Sequence, residues 1–429
     1  MINSSIITSC QFLFMSISLI SMLTGEVFPV TDIMINGDQD SRVNIVFLGD
    51  GYTQEEMNDY IDDVGEVVEG LFSAVPYSNY INHFNVFAIE VPSNESGTDH
   101  PGTAYDCGGD AGNVFYADTY FNSTFDYGGI HRALVATNTS AAYDVLINNT
   151  PQWDIVFIMV NTTMYGGTGG AFATFSRHEL SIEIAIHEIG HSFSGLADEY
   201  WFSGWETANM TQESNPLFNK WSPWLYDNGI GIYQYESPGN NWYRPHQDCK
   251  MRYLGPPFCS VCAEKTIISV YSILDPIDTY FPENLELTVP ASGTEYFSIN
   301  PIPTVPSFIT IDWFIDEQII NHGSTSIELE ASLYSEGEHE VKVVVKDLSE
   351  LVRNDPLNLL ESEIIWSLMI VCNTIGDLNS DGMVNIQDVI LLVNDVIGTL
   401  ADVTCADLND DGEINILDIV QLVNIILGT

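Results

Sequence analysis

Positive charge is what this sequence has least of: 11 Lys and Arg stand against 60 Asp and Glu, a formal net charge of −49 over 429 residues. Such a surface repels phosphate backbones and anionic lipid, which excludes nucleic-acid and membrane-surface binding. The general reading of the acidity is solubility in a salty setting, and the specific one is calcium binding. The first 24 residues lack charge altogether. Their apolar run has the character of a signal peptide over residues 1–25, without the usual basic start or a clean Ala-x-Ala cleavage site. A membrane anchor is the alternative, because the run is nearly long enough to span a bilayer. No later stretch is, so the chain reads as exported, with no membrane contact after processing. Cysteine is scarce too, and after Cys10 there remain Cys107, Cys249, Cys259, Cys262, Cys372 and Cys405. Their even number in an exported chain favours disulfides. The alternative is a structural metal held by Cys249, Cys259 and Cys262 together with Cys107.

Apolar residues are not lacking: at 45% they allow a sizeable core, and the length calls for two or three domains. Over residues 26–275 strand and helix patterns alternate, which predicts an α+β domain. "VNIVFLGD" (43–50), "HFNVFAIEV" and "DIVFIMV" read as buried strands. Thr53 and Glu56 have capping-box spacing, and Met57, Ile61, Val64, Val68 and Leu71 then mark one face of a helix. "YGGTGGAFATFS" reads as a glycine-rich loop and an edge strand. No Gly-Lys-Ser/Thr follows it, so it is not a phosphate loop. "ILDPIDTYFPENL" reads as a linker. Residues 276–371 then carry short alternating runs, "FITIDWFIDE", "STSIELEA" and "EHEVKVVVKDL", which predict an immunoglobulin-like β-sandwich.

The last segment, 373–429, repeats itself with a period of 30: "DLNSDGMVNIQD" begins at Asp377 and "DLNDDGEINILD" at Asp407. In a calcium loop, oxygen ligands come from places 1, 3, 5, 7, 9 and 12, with glycine at 6. The first copy offers Asp377, Asn379, Asp381, the Met383 carbonyl, Asn385 and Asp388. The second offers Asp407, Asn409, Asp411, the Glu413 carbonyl, Asn415 and Asp418. Each loop ends in aspartate and runs into an apolar helix. This layout resembles the dockerin module of bacterial extracellular enzymes, a small α-helical fold. The resemblance implies folding by Ca2+ and docking on a cohesin domain through Ile386, Gln387, Ile416 and Leu417. Cys372 and Cys405 are spaced to clamp the two halves.

"HEIGHSFSGLADEY" (187–200) carries the chemistry. Ile182, Ile186, Ile189 and Phe193 mark the buried face of a helix on which His187 and His191 lie one turn apart, able to share one ion. Glu188 sits beside them, positioned to take a proton from a metal-activated water. Gly195 can end the helix in a left-handed conformation and turn the chain back. The third ligand is then Asp198, with Glu199 or a more distant acid such as Glu206 or Glu213 as alternatives. The stretch resembles the metzincin zinc motif with one residue added before the glycine. Met251, in "CKMRYLGPPFCSVC", is placed as that group's methionine turn would be. With "VFLGDGYT" and "FNVFAIEVPSNESGTDHPG", these motifs resemble the IgA-peptidase family of zinc metallopeptidases over residues 43–262. The resemblance implies a metzincin-like mixed sheet with an active-site helix, Zn2+ and peptide hydrolysis, not that immunoglobulin is the substrate. Some metzincins carry a tyrosine two places after the methionine, which would give Tyr253 the oxyanion.

The expected protein is thus an exported zinc endopeptidase with Glu188 as general base, tethered by its dockerin to a cell-surface or scaffold partner. The "GGAFATFS" strand would pair with an extended protein or peptide substrate. The alternatives are an inactive calcium-dependent interaction or adhesion protein on a peptidase fold, and a zinc hydrolase acting on another amide.

Overall fold

The computed structural model describes residues 25–429 except 202–203, 237–238, 373, 380–381, 399–404, 410 and 429. The expected signal peptide therefore lies, but for Gly25, outside the described residues, as does Asp381 of the first calcium loop.

The predicted run "VNIVFLGD" is β2 (Val43–Asp50), buried at every position. Burial on both faces is what a central strand flanked by helices requires. Around it stand β1 (Val30–Met34) and β3 (Phe84–Ile89), then, beyond a two-residue ladder of β4 (Ser123–Thr124) and β5 (Val135–Ala136), the strands β6 (Ile155–Val160), β7 (Gly167–Thr168) and β8 (Ala173–Ser176). They form one mixed sheet in the order β1-β3-β2-β6-β8-β7, parallel within and antiparallel at both ends. The expected edge strand is corrected here. β8 lies inside the sheet, because the glycine turn folds the short β7 back along it, and β7 takes the edge.

The Thr53–Glu56 box caps a short 3-10 turn (Gln54–Glu56) that runs into α1 (Met57–Leu71), which packs on one face of the sheet; α2 (Thr139–Asn149) packs on the other. Beside α1 lie α3 (Ser181–Ser192), which carries both histidines, and, after a small ladder of β9 (Tyr233–Gln234) and β10 (Tyr243–Arg244), the helix α4 (Ser260–Tyr271).

The presumed linker carries a strand, β11 (Ile277–Phe281), since Pro276 and Pro282 bracket it without interrupting it. It joins β12 (Glu286–Pro290), β13 (Thr294–Pro301), β14 (Ile309–Ile315), β15 (Gln318–His322), β16 (Ser326–Glu330), β17 (Gly337–Asp347) and β18 (Glu361–Val371). Two sheets, β11-β13-β16 and β12-β18-β17-β14-β15, share one core around Trp313 and Trp366. The chain between β17 and β18 returns to the first unit. Leu351, Val352 and Leu359 pack on its core, and buried Asp347 accepts hydrogen bonds from Tyr80 (2.7 Å) and Tyr271 (2.9 Å). Polar contacts of Asp347 thus join the unit that follows the expected linker to the first unit.

In the last segment, α5 (Ile386–Val396) and α6 (Ile416–Leu427) close on a small core of their own that includes Leu378, Leu392, Leu408 and Leu422. Cys372 and Cys405 form a disulfide, and Cys405 also packs into the two-sheet core. The expectation of further bridges is corrected: Cys107, Cys249, Cys259 and Cys262 are free, buried thiols. Among the described residues no helix is long and apolar enough to cross a membrane.

Candidate active site

The apolar spacing ahead of His187 does produce a buried helix, with Ile184, Ile186 and Ile189 inside α3. After it, Gly195 takes φ +61°, a conformation costly for any residue with a Cβ, and the Gly195 and Leu196 N–H groups bond back to the carbonyls of His191 and Gly190. The chain reverses, and Asp198 returns to the helix it has just left.

The result is a three-residue cluster. Asp198 Oδ1 lies 3.2 Å from Nε2 of His187 and 3.2 Å from Nε2 of His191, and the two Nε2 atoms are 3.1 Å apart. The opposite ring nitrogens fix the tautomer. Nδ1 of His187 donates to the Lys250 carbonyl (2.9 Å) and Nδ1 of His191 to the Leu196 carbonyl (2.7 Å). A neutral imidazole that donates from Nδ1 carries its lone pair on Nε2, so both lone pairs converge on the space that Asp198 Oδ1 faces. Donation of the distal N–H to a carbonyl is also the usual way a metal-binding histidine is oriented.

Charge supports the convergence. Burial raises the Asp198 carboxyl, but the two histidines that face it outweigh burial and hold the group below the usual carboxylate range. Burial lowers the His191 imidazolium, yet the hydrogen bond and charge of Asp198, with the Glu188 charge, carry it up to about 8. Glu188 is shifted upward by burial, against the lowering charges of the same histidines.

The other weighed acids face elsewhere. The Glu199 carboxylate turns away from the histidines and accepts from Asn209 (3.1 Å) and the Cys262 thiol (3.3 Å). Glu206 pairs with Lys220, and Glu213 accepts from the Asn215 N–H (2.6 Å). Met251 is fully buried, and its carbonyl accepts the Glu199 N–H at 2.7 Å, which ties the turn carrying Asp198 to the chain at Met251.

Glu188 and His187 open into a cleft of about 320 Å³ lined also by Arg132, Tyr165, Tyr200 and Tyr253, and an adjoining hollow brings in His191 and Asp198. Tyr253 is 47% exposed, with Arg252 stacked 4.8 Å over its ring. The sequence reading missed Tyr200, which lines both hollows and has its ring 6.5 Å from that of His187. Burial and the Asp198 charge push its hydroxyl well up, so it stays a donor. Its signal was its place directly after the Asp198-Glu199 pair. The glycine-rich loop also has its explanation here. A Cβ on Gly169 would come within 2.6 Å of Glu188 Oε2 and 3.3 Å of the His191 ring, so only glycine lets the backbone cross the cluster this closely.

In the last segment the two loops match each other. Both oxygens of Asp388 are engaged, by the N–H groups of Leu378, Asn379 and Asn385; those of Asp418 take Leu408, Asn409 and Asn415 in the same way. Asp377 and Asp407 each accept the N–H of the loop glycine at 2.8 Å. Ile386, Ile416 and Leu417 are 64, 67 and 58% exposed.

Two histidines and a carboxylate face a common point, with a glutamate on the same helix and a cleft in front, an arrangement able to hold a metal ion beside a carboxylate base. Its segment carries a family name: residues 31–225 match the model for IgA Peptidase M64, and residues 375–427 match that for the Dockerin type I domain. The first match contains His187, Glu188, His191, Asp198 and Tyr200, and ends before Met251 and Tyr253. Among solved structures, the fibronectin(III)-like modules of Clostridium thermocellum CbhA align with 22% of this chain and 96% of theirs, at 12% identity and a TM-score of 0.16. No curated protein matches.

Proposed function

We propose that this chain is an exported zinc-dependent endopeptidase that a calcium-loaded dockerin carries to a cohesin-bearing partner outside the cell. One observation bears most of the weight: two Nε2 lone pairs and Asp198 Oδ1 face a common point, each pair 3.1–3.2 Å apart. Oδ1 is also buried with no hydrogen-bond donor. With both imidazoles neutral, three acceptors turned on one another repel unless a cation lies between them; in the metal-free chain a proton on His191 serves, and among metal ions two imidazoles and a carboxylate suit zinc. Held there, zinc would supply Lewis acidity that acidifies a water and polarises the scissile carbonyl.

The chain's own groups do the rest. Glu188 receives the proton of the attacking water and returns it to the leaving amine, a task suited to a buried carboxylate of raised basicity. Tyr200 and Tyr253 offer hydroxyl donors to the oxyanion from two sides of the cleft. Gly167 of β7 lines the cleft, but its N–H is already held by the Arg132 carbonyl (3.1 Å), so an extended substrate would find no free donor at that point of the edge. Arg132 and Arg252 stand at the same cleft, two of only 11 cationic side chains in the whole sequence. They favour substrates with acidic side chains near the cleaved bond. Met251 beneath the cluster supports the metzincin-like reading of the domain, and the two-sheet unit is read as immunoglobulin-like. In the last segment, the oxygens of both loops suit calcium, and the exposed Ile386, Ile416 and Leu417, with Gln387, form the cohesin contact.

The test is zinc per chain by elemental analysis together with cleavage of an unfolded protein, for the parent and for Asp198→Ala and Glu199→Gln. The reading expects Asp198→Ala to lose one zinc and all hydrolysis. A folded, zinc-loaded parent that cleaves small amides but no polypeptide would replace the endopeptidase with another amide hydrolase. A folded parent that takes up no zinc would leave an interaction protein.

A further inference from the structure

We propose that Glu199, Cys249, Cys259 and Cys262 form a second metal site, a structural zinc centre directly behind the proposed catalytic cluster. Their four ligand atoms, all in buried residues, lie within 4.8 Å of one another. Three separate pieces of chain supply them. Glu199 comes from the turn after α3, Cys249 from the approach to Met251, and Cys259 and Cys262 from the cap and first turn of α4. The Cys249 and Cys262 sulfurs are 3.7 Å apart. Tetrahedral zinc with bonds of about 2.3 Å sets its sulfurs about 3.8 Å apart, whereas a disulfide would need about 2.05 Å. Glu199 Oε2 is buried with no hydrogen-bond partner, although Oε1 has two. A carboxylate oxygen left bare among thiols is explained by a cation that both would share.

The donor set selects the metal. Thiolates bind zinc far better than calcium or magnesium, and three free thiols in an exported chain resist oxidation when a metal holds them. On binding, the three thiols release their protons to solvent. The Cys259 N–H already points at the Cys249 sulfur (3.3 Å), and the N-terminus of α4 favours negative charge there. The site also has a consequence for catalysis. Asp198 and Glu199 are consecutive, and the Glu199 N–H holds the Met251 carbonyl, so this metal would fix the strut that delivers Asp198.

Full-length chain with His187→Ala and His191→Ala removes the catalytic cluster, so the outcome does not depend on the peptidase reading. Loaded with Co2+, that double variant should show intense near-ultraviolet thiolate-to-cobalt absorption, largely lost on adding Cys262→Ser. Glu199→Gln, which keeps the Asn209 contact, should stay folded and bind zinc at least tenfold more weakly in chelator competition. Two results would overturn the site: a Cys249–Cys262 disulfide in freshly purified protein, or zinc content and affinity unchanged in folded Glu199→Gln.

A separate observation points to another structural metal in the long connection between β3 and α2. Here Asp126 Oδ1 lies 3.0 Å from His131 Nδ1 and 3.3 Å from the Cys107 sulfur, which are themselves 3.3 Å apart, and His100 Nε2 is 4.0 Å away. His100 donates from Nδ1 to the Asn113 carbonyl (2.6 Å), which leaves its Nε2 lone pair buried, partnerless and aimed into the cluster. Two imidazoles, a thiol and a carboxylate make a zinc set. The next residue, Arg132, lines the cleft, so this metal would hold one wall of the substrate site. His131→Ala and, separately, Cys107→Ala should each lower the zinc content of the full chain by one ion and speed proteolysis between residues 97 and 134. Unchanged zinc content in either folded variant would refute this site.

Discussion

The proposed zinc cluster, two imidazoles and a carboxylate, and the two proposed calcium loops, built of acids and amides, are assembled in opposite ways. Each calcium loop draws its ligands from twelve consecutive residues, and the loop's own N–H groups hold its last aspartate. The zinc cluster takes two ligands from α3 and the third from a returning chain, and borrows orientation from the Lys250 carbonyl 63 residues away. A local site can be lost without disturbing its neighbours. An assembled site depends on packing elsewhere, and changes far from the metal should reach it.

The sharpest break between the two is Glu188→Gln. It keeps the shape of α3 and both histidines, so zinc content should hold while peptide cleavage falls about 10²- to 10⁴-fold, the usual share of a general base. Cohesin binding should not change. Cleavage at the parental rate would remove Glu188 from the mechanism.

Acid should separate the regions next. His83 is fully buried beside Tyr80 and Tyr271, neither ring nitrogen has a partner, and burial followed by the Arg42 charge lowers its pKa to about 3. Its folded pKa lies below the unfolded value of about 6.5, so the unfolded chain binds the extra proton. Stability is therefore full above pH ~6.5 and is lost as pH falls towards 3, by roughly 2 kcal/mol at pH 5. Residues 373–429 contain no histidine and lack this contribution. Thermal melts from pH 7 to 5 should lower the transition of the catalytic unit first, and His83→Phe should flatten that slope. An unchanged slope would assign the acid sensitivity to another group.

What could be read in advance follows the same division. The calcium loops, α1, α3 and the strands β2, β3 and β6 were legible because ligand spacing or apolar period lies within one short stretch. Asp198 could be named ahead of Glu199 from the spacing, but what turns Glu199 aside could not, because no local pattern places Cys249, Cys259 and Cys262 opposite it. Strand β11 was hidden by its flanking prolines. The inner position of β8 was hidden by a hairpin whose edge strand is only two residues long. Tyr200 carried one signal, its place directly after Asp198 and Glu199, but that place alone does not show that its ring turns into the cleft.

Gly169→Ala tests whether the assembled site feels a change of one methyl group. The new Cβ would meet Glu188 Oε2 at 2.6 Å, so either the loop or the base must shift. A displacement of this kind should cost about tenfold in kcat, with zinc retained and folding unaffected. Among the described residues of the two loops no glycine makes a comparable crossing, since a Cβ on Gly382 or Gly412 would meet open space, and no substitution there should alter kcat.

The smallest effect belongs to the loops themselves. Asn385 and Asn415 cap α5 and α6, each accepting at 2.8 Å from the N–H two residues on, and each with an aspartate completing a capping box. Replacing such a cap by alanine costs about 1 kcal/mol, and here it also removes an oxygen that the proposed reading assigns to calcium. The surroundings of the two caps match bond for bond, so Asn385→Ala and Asn415→Ala should lower the calcium-loaded melting transition of this segment equally, by a few degrees. Serine at either place restores the cap and should recover most of the loss. Unequal losses would mean that the two copies, alike in their hydrogen bonds, differ in how they hold calcium. The disulfide and the β-sheet core contact at Cys405 would then be the place to look, since they touch the approach to the second loop directly.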